Sequence, residues 1–502
     1  MTGRARTLAL AACGTAFLAT APARIVVPTA GGVAWTSESI AKLDGDLAAM
    51  LGTAPALRGA HYGILAVDTA GGRVLFARAP DDEFQPASTL KLLVGSAALE
   101  LLSPQFRFRS AFRIAPGAFV DVVLGGDPFL TADDFAAAAR TVASTPAGRD
   151  PVAPLQTVLV DATHFDERPY PDGWTWDDFG QAYAPRVSAA ALEENLVHLV
   201  VTPAGAAGEP AIVRSQSIAE VADGRAPASC AGAPGRVPVV IARATTGAAG
   251  SADTLDVTLG SSGCSEVVGS VPLGAQPEAL DIAVADPVAY ARETALAALR
   301  TAGVPLAGTG SSTEHDRGQS TAAWTHDSQP LRDFLGPRFW IPSDNLVGEL
   351  LLKELGFASA GAPGTTANGI AYEKVWLRSI GVDPATVTLA DGCGMSQYDR
   401  ITPRDLVTIL QHDWNGPNRQ IVLDSLPVGG ARGTIEGIAD TAVAGRVFAK
   451  TGSMMHVRGL AGYLATLRHG AVTFAFDVDD WNGTYPALAA LRARVLARIV
   501  RD

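Results

Sequence analysis

The chain has 502 residues, 48% of them hydrophobic and 18% charged, with a formal net charge of −12. That length accommodates two or three domains, each with its own core. The acidic balance excludes nucleic acid as a general partner, because phosphate binding needs clustered Lys and Arg.

Residues 1–23 read as an export signal: Arg4 and Arg6 give a positive start, residues 8–20 are largely apolar, and Ala21-Pro22-Ala23 offers a small-x-small cleavage site. A second reading stands beside it. Leu10-Ala11-Ala12-Cys13 has the form of a lipoprotein processing site, which would leave an acylated Cys13 at the membrane. No later run is long and apolar enough for an integral membrane span. The expected location is therefore exported: periplasmic or otherwise extracytoplasmic.

An amphipathic helix is expected over residues 37–51, then a hairpin of strands at 61–67 and 73–77 turning at Asp68-Thr69-Ala70-Gly71-Gly72. A helix follows from Pro86 and Ser88, then a strand at 106–114. The texture changes near Gly117, with strands at 120–124 and 156–160 around a helix at 132–143, and then a loop rich in Trp, Tyr and Phe. Residues 202–277, rich in Gly, Ala, Val, Thr and Ser, read as a small all-β subdomain. Helices are expected at 286–302, 343–356, 369–380 and 403–412. Strands at 446–450, 458–467 and 471–478 come next, the last two turning at Arg468-His469-Gly470. A final helix, 486–500, carries Leu488, Leu491, Val495 and Ile499 as a stripe that packs on the sheet, with Arg492 largely off it.

After the signal three cysteines remain. Cys230 and Cys264 flank one Gly/Pro/Ala/Val-rich segment and form the preferred pair among three single pairings, leaving Cys393 free. The eight histidines form no H-E-x-x-H or comparable cluster, so neither a metal nor a cofactor is expected.

The chemistry gathers at three short runs. Ser88 and Lys91 stand three apart at the mouth of an apolar helical run, close enough on one helix face for hydroxyl and amine to meet. A buried amine loses hydration, its pKa falls, and it can take the serine proton. Lysine is scarce here: Lys42, Lys91, Lys353, Lys374 and Lys450 are the whole set. Ser343-Asp344-Asn345 opens a helix, and Lys450-Thr451-Gly452 ends an apolar strand, where a glycine lets a substrate backbone lie close.

In the order S-x-x-K, S-D-N, K-T-G these runs resemble the triplet of penicillin-binding proteins and class A β-lactamases. Further stretches resemble one group. They are Pro86 to Leu92, Gly125-Gly126-Asp127-Pro128, Ser343 to Leu346 with Glu349-Leu350 and Lys353, Asp391-Gly392 with Gly394, Ser396 and Arg400, and Ser425-Leu426-Pro427 before Gly433-Thr434. That group is the type-4 (class C, low-molecular-mass) penicillin-binding proteins, which are D-alanyl-D-alanine carboxypeptidases and endopeptidases of the bacterial cell wall. The long interval between Ser88 and Ser343 matches the group's inserted domains.

The resemblance implies an α/β (α+β) fold: a penicillin-binding/β-lactamase-like transpeptidase domain with an antiparallel five-stranded sheet flanked by helices. It assigns residues 24–115 and 325–502 to this domain, 116–201 and 278–324 to an inserted second domain, and 202–277 to a β-rich third. It implies Ser88 as nucleophile, Lys91 as base and Ser343 as proton relay. Asn345, Lys450 and Thr451 would hold substrate, and the N–H groups of Ser88 and Ser453 would form the oxyanion hole. Asp178, in a Trp-x-Trp-x-Asp loop, would meet the free end of a stem-peptide side chain; its alternative is a solvated loop acid. The implied partners are peptidoglycan stem peptides and β-lactam antibiotics. The sequence departs from the group's pattern at Cys393, Gln397 and Met455, which bears on peptide specificity. Rival readings are a serine β-lactamase or esterase of the same fold, or a non-catalytic peptidoglycan-binding scaffold.

Overall fold

The computed structural model describes residues 25–29, 31–115, 119–224, 239–260, 263–307, 320–438 and 442–502. The export signal, Cys13 and Cys230 lie outside them.

Five strands build the central sheet: β1 (His61–Asp68), β2 (Val74–Arg78), β3 (Val447–Met454), β4 (Val457–Ala465) and β5 (Ala471–Asp479). Their order is β3-β4-β5-β1-β2, and every pair is antiparallel. Helices flank it, among them α1 (Ser37–Gly52), α2 (Leu90–Leu101), α3 (Asn345–Ala360), α4 (Thr366–Ser379), α5 (Pro403–Asn415) and α6 (Tyr485–Val500). Both faces of the sheet are covered, which is why β4 and β5 are nearly continuous apolar runs rather than alternating ones. On one face Leu43 and Leu47 of α1 and Leu488 and Leu491 of α6 pack with Phe474 and Phe476. On the other, α2 is enclosed by α3, α5 and the sheet, and its residues from Leu90 through Leu99 are all buried. A helix buried all round needs apolar residues on every side, and this one has them except at Lys91 and Ser96.

A separate core lies in the inserted part. Its four-stranded sheet runs in the order Thr321–Asp327, Arg109–Ala115, Phe119–Val123, Val158–Asp161. Helices Ala132–Ser144 and Pro287–Thr301 join the same core through Phe135, Tyr290 and Leu299. Between Leu196 and Ala283 the described residues form β-structure: a three-stranded sheet, a four-stranded sheet and a two-stranded pair. The chain is thus a mixed α/β protein with an antiparallel five-stranded sheet flanked by helices and a β-rich insertion.

Three local expectations shift. The strand expected at 106–114 begins at Arg109 and pairs with Phe119–Val123 and Thr321–Asp327. The strand expected to end at Lys450 continues to Met454, because β4 supplies register partners for Thr451, Gly452 and Ser453. Arg492, expected off the apolar stripe, is buried, since its guanidinium donates to the carbonyls of Arg458 and Phe476. Cys264 is disulfide-bonded and Cys393 is free and buried.

Candidate active site

Ser88 sits in a 3₁₀ turn, Ala87–Thr89, that runs directly into α2 and places Lys91 in the first helical turn. Lys91 is fully buried. Its Nζ donates to Ser88 Oγ at 2.7 Å, Asn345 Oδ1 at 2.7 Å and the Cys393 carbonyl at 2.8 Å. Three acceptors match the three donors of an ammonium, so the amine has one fixed position. Burial lowers the Lys91 pKa, and the nearby Cys393 and Asp391 offset part of that fall.

Asn345 begins α3, which is capped by Asp344 accepting Val347 N–H at 2.8 Å. Ser343 has φ 67°, a left-handed conformation that turns its hydroxyl toward β3 rather than into the cap. There Lys450 Nζ donates to Ser343 Oγ at 2.8 Å and to the Thr451 carbonyl at 3.0 Å. Burial, and then the neighbouring Lys91, push the Lys450 pKa well down. Thr451 Oγ1 meets Thr434 Oγ1 at 2.8 Å. β3 is an edge strand, so Ser453 lies exposed on an open margin, the geometry that accepts an extended peptide.

Two groups brace this set: Trp340, which the sequence did not single out, and Asp391, whose motif it carries. Trp340 Nε1 donates to the Lys91 carbonyl at 2.8 Å, and its ring fills the space that a side chain at Gly95 would take. Asp391 organises the loop that carries the Cys393 carbonyl: it accepts N–H bonds from Cys393, Gly394 and Ser396, and the Trp174 indole at 2.9 Å. Glu349 on α3 accepts Gly392 N–H at 2.8 Å. Glu349, Asp391 and Cys393 bring three ligand-type atoms within 4.8 Å of one another. With the Asp391 oxygens committed to N–H donors, the group reads as a loop brace.

Asp178 stands apart from the Ser88 cluster. Its Oδ2 accepts Thr175 N–H and Oγ1, capping its own turn, and its Oδ1 accepts Tyr183 Oη at 3.1 Å. The Tyr183 carbonyl in turn accepts Asn345 Nδ2 at 2.7 Å, so one residue links the aromatic loop to the cluster. Lys353, the other buried lysine, pairs with Asp166 at 2.5 Å and fastens the inserted loop to α3.

Fold and site together define a serine-type acyl-transfer enzyme: a hydroxyl and a buried amine in contact, a second amine beside them, and an open strand edge. The D-Ala-D-Ala carboxypeptidase 3 (S13) family model matches residues 43–493. A D-alanyl-D-alanine carboxypeptidase of Actinomadura sp. (strain R39) is 32% identical over 480 residues, covering 89% of this chain and 82% of that one. The crystal structure of penicillin binding protein 4 (dacB) from Haemophilus influenzae superposes with a TM-score of 0.75 at 21% identity, covering 91% of this chain and 99% of that one. A second structure of that protein, complexed with a β-lactam, gives 0.72 at 19% identity, covering 91% and 100%. The chain belongs to the S13 family and is a serine-type D-Ala-D-Ala carboxypeptidase.

Proposed function

We propose that Ser88 is the nucleophile toward the terminal D-Ala-D-Ala bond of peptidoglycan stem peptides and that β-lactams acylate the same oxygen. The observation that carries this is the Lys91 amine, buried and 2.7 Å from Ser88 Oγ. Ser88 Oγ attacks the carbonyl carbon as Lys91 takes its proton. The oxyanion is held by the N–H groups of Ser88 and Ser453. Gly452 supports that pairing, since a Cβ there would lie 3.2 Å from Ser88 N. Ser343 passes a proton to the leaving D-Ala amine, the C–N bond breaks, and water then hydrolyses the Ser88 ester. Burial, and then Lys91, lower the Lys450 pKa; the terminal carboxylate of the substrate favours the protonated amine and gains a charge-assisted bond. Asn345 holds Lys91 with Oδ1, and Thr451 completes the carboxylate site.

Asp178 receives the free amine of the stem-peptide side chain, and internal cross-links are cleaved by the same chemistry where the strand edge admits them. Export through residues 1–23, with or without a lipid on Cys13, delivers the enzyme to that substrate. The described residues contain no helix long and apolar enough to cross a membrane. The division into a catalytic domain (24–115, 325–502) and two inserted domains (116–201 with 278–324, and 202–277) accords with the separate inserted core.

The test is a fluorescent penicillin on wild type and Ser88→Ala, followed by D-Ala release from a diacyl-Lys-D-Ala-D-Ala peptide. A stable label lost in Ser88→Ala, with D-Ala released, is expected. Rapid turnover of the label would indicate a β-lactamase, label without D-Ala release an esterase, and no label a scaffold.

A further inference from the structure

Four residues form a row across the central sheet, and three of them have no part in the proposed chemistry. Gly63 on β1, Asp477 on β5, Gly459 on β4 and Gly452 on β3 are successive register partners. Partners directly opposite point their Cβ bonds to the same face. On that face lies the segment from Phe84 to Thr89. A Cβ on Gly63 would sit 2.5 Å from the Phe84 ring. On Gly459 it would sit 3.1 Å from the Pro86 carbonyl oxygen and 2.9 Å from Thr89 Cγ2, and on Gly452 2.4 Å from the Pro86 oxygen. The three glycines leave room for the turn to lie directly on the sheet.

Asp477 is the one side chain in the row. Its Oδ1 is 3.1 Å from the same Cβ position on Gly459, so the carboxyl, the Pro86 carbonyl and the Thr89 methyl surround one point above that glycine. It is fully buried, and neither oxygen has a hydrogen-bond partner. Two residues along, Asp479 Oδ2 accepts Gln85 N–H at 2.9 Å. The turn itself is strained: Ala87 has φ 45°, a left-handed conformation that persists only where its surroundings impose it. Its internal ties are the Thr89 N–H and Oγ1 bonds to the Pro86 carbonyl, at 3.2 and 2.7 Å.

We propose that Asp477 is a positioning residue for Ser88, setting the height and tilt of the Pro86–Thr89 turn above the strands that carry Lys450 and Gly452. The inference rests on the assignment of Ser88 as nucleophile. Burial raises the Asp477 pKa to about 8, Arg492 opposes that rise, and Asp479 adds a smaller push upward. At neutral pH the acid form prevails, and the uncharged carboxyl fills the space above Gly459 beneath the turn. An uncharged group of the same shape therefore replaces it, whereas a truncated one leaves the turn unsupported.

The experiment measures the acylation rate constant and the binding constant of a fluorescent penicillin separately, with thermal melting as a check of folding. Asp477→Asn is expected to acylate within about 3-fold of wild type at pH 7, and Asp477→Ala to lose about 30-fold in the rate constant at unchanged binding. As pH passes about 8 the ratio of Asn variant to wild type rises, because only the wild type gains a buried charge; Lys91, Lys450, Arg492 and Asp479 are common to both. An Ala variant that acylates normally, an Asn variant as slow as Ala, or a ratio flat from pH 7 to 9.5 each overturns the proposal. The pH ratio needs no Ala variant, so it decides the matter even if truncation prevents folding. Labelling that persists in Ser88→Ala overturns the nucleophile assignment itself, and the positioning role with it.

Discussion

Lys450 Nζ and Ser343 Oγ lie 2.8 Å apart, although 107 positions separate them in the chain. The pair joins the β3 edge to the start of α3, so a group binding Lys450 also meets the Ser343 hydroxyl, the proposed proton relay. On the proposed assignment, replacing Lys450 by Met removes a charge-assisted bond to the substrate carboxylate, worth roughly 1.5–3 kcal/mol. The expected loss is about 10–100-fold in kcat/KM for a D-Ala-D-Ala peptide, mostly through KM. An equal loss for an ester substrate with no carboxylate would show that Lys450 serves something other than carboxylate binding.

As the proposed base, Lys91 must be neutral to accept the Ser88 proton. Burial lowers its pKa below the ordinary 10.5. Acylation is therefore expected to rise with pH through that lowered pKa and to be lost in Lys91→Arg by about 10²–10⁴-fold, since a guanidinium does not deprotonate. Penicillin acylation followed between pH 5 and 10 checks both points; an active Arg variant contradicts the assignment.

The proposed catalytic cluster was legible because each of its members sits in a short contiguous run whose residue types state their chemistry. Ser88, Lys91, Ser343, Asn345 and Lys450 are brought together as those runs suggested. Residues that act through tertiary placement were not legible. Asp477 follows Phe474-Ala475-Phe476 near a strand end, where an acid ordinarily points to water. Only the register with Gly459 and Gly63 shows that it is enclosed. Trp340 reads as one more apolar residue until the π-helical turn Leu335–Trp340 aims its indole at the Lys91 carbonyl. The extension of β3 past Lys450 depends on β4, because Gly452 interrupts the run with a residue of low strand propensity.

Gly452 is held to its size by contact. A Cβ there would lie 2.4 Å from the Pro86 oxygen and 3.1 Å from Ala87 Cβ, both parts of the turn bearing Ser88. Gly452→Ala must push β3 away from that turn, at a cost of about 1–3 kcal/mol for overpacking. Displacing the Ser453 N–H from an oxyanion is expected to lower acylation by about 10²-fold, in keeping with the loss of one such donor. A crystal structure and acylation kinetics of the variant check the two effects; wild-type kinetics would place the oxyanion donors elsewhere.

Asp178 already caps Thr175 and accepts the Tyr183 hydroxyl, so a ligand amine would share an oxygen that the fold uses. Asp178→Asn keeps an acceptor for the cap and removes the charge. For a half-exposed ion pair of about 1 kcal/mol the expected loss is roughly five-fold in kcat/KM. It should appear with a stem peptide bearing a free side-chain amine and vanish when that amine is acylated. The same loss on both peptides would return Asp178 to a purely structural part.

Glu349 braces the loop beneath Lys91 through Gly392, yet its second oxygen is buried without a partner. Burial, with the nearby Asp391, raises its pKa from 4.5 to about 8. The folded state thus holds a proton that the unfolded chain has released above pH 4.5. Its contribution to stability is complete below pH 4.5 and is lost as pH climbs toward 8, at about 1.4 kcal/mol for each pH step of one between those two values. Lys91 and Lys450 act in the opposite sense, because their lowered pKa values make the unfolded state the better proton binder. The melting temperature of the wild type alone therefore mixes the two trends. The difference between Glu349→Gln and wild type separates them: it should move in favour of Gln as pH rises from 5 to 9, by several degrees in Tm. A difference that stays level across that range would mean that the Glu349 carboxyl ionises in the fold as it does in water, and that the loop is braced by a carboxylate after all.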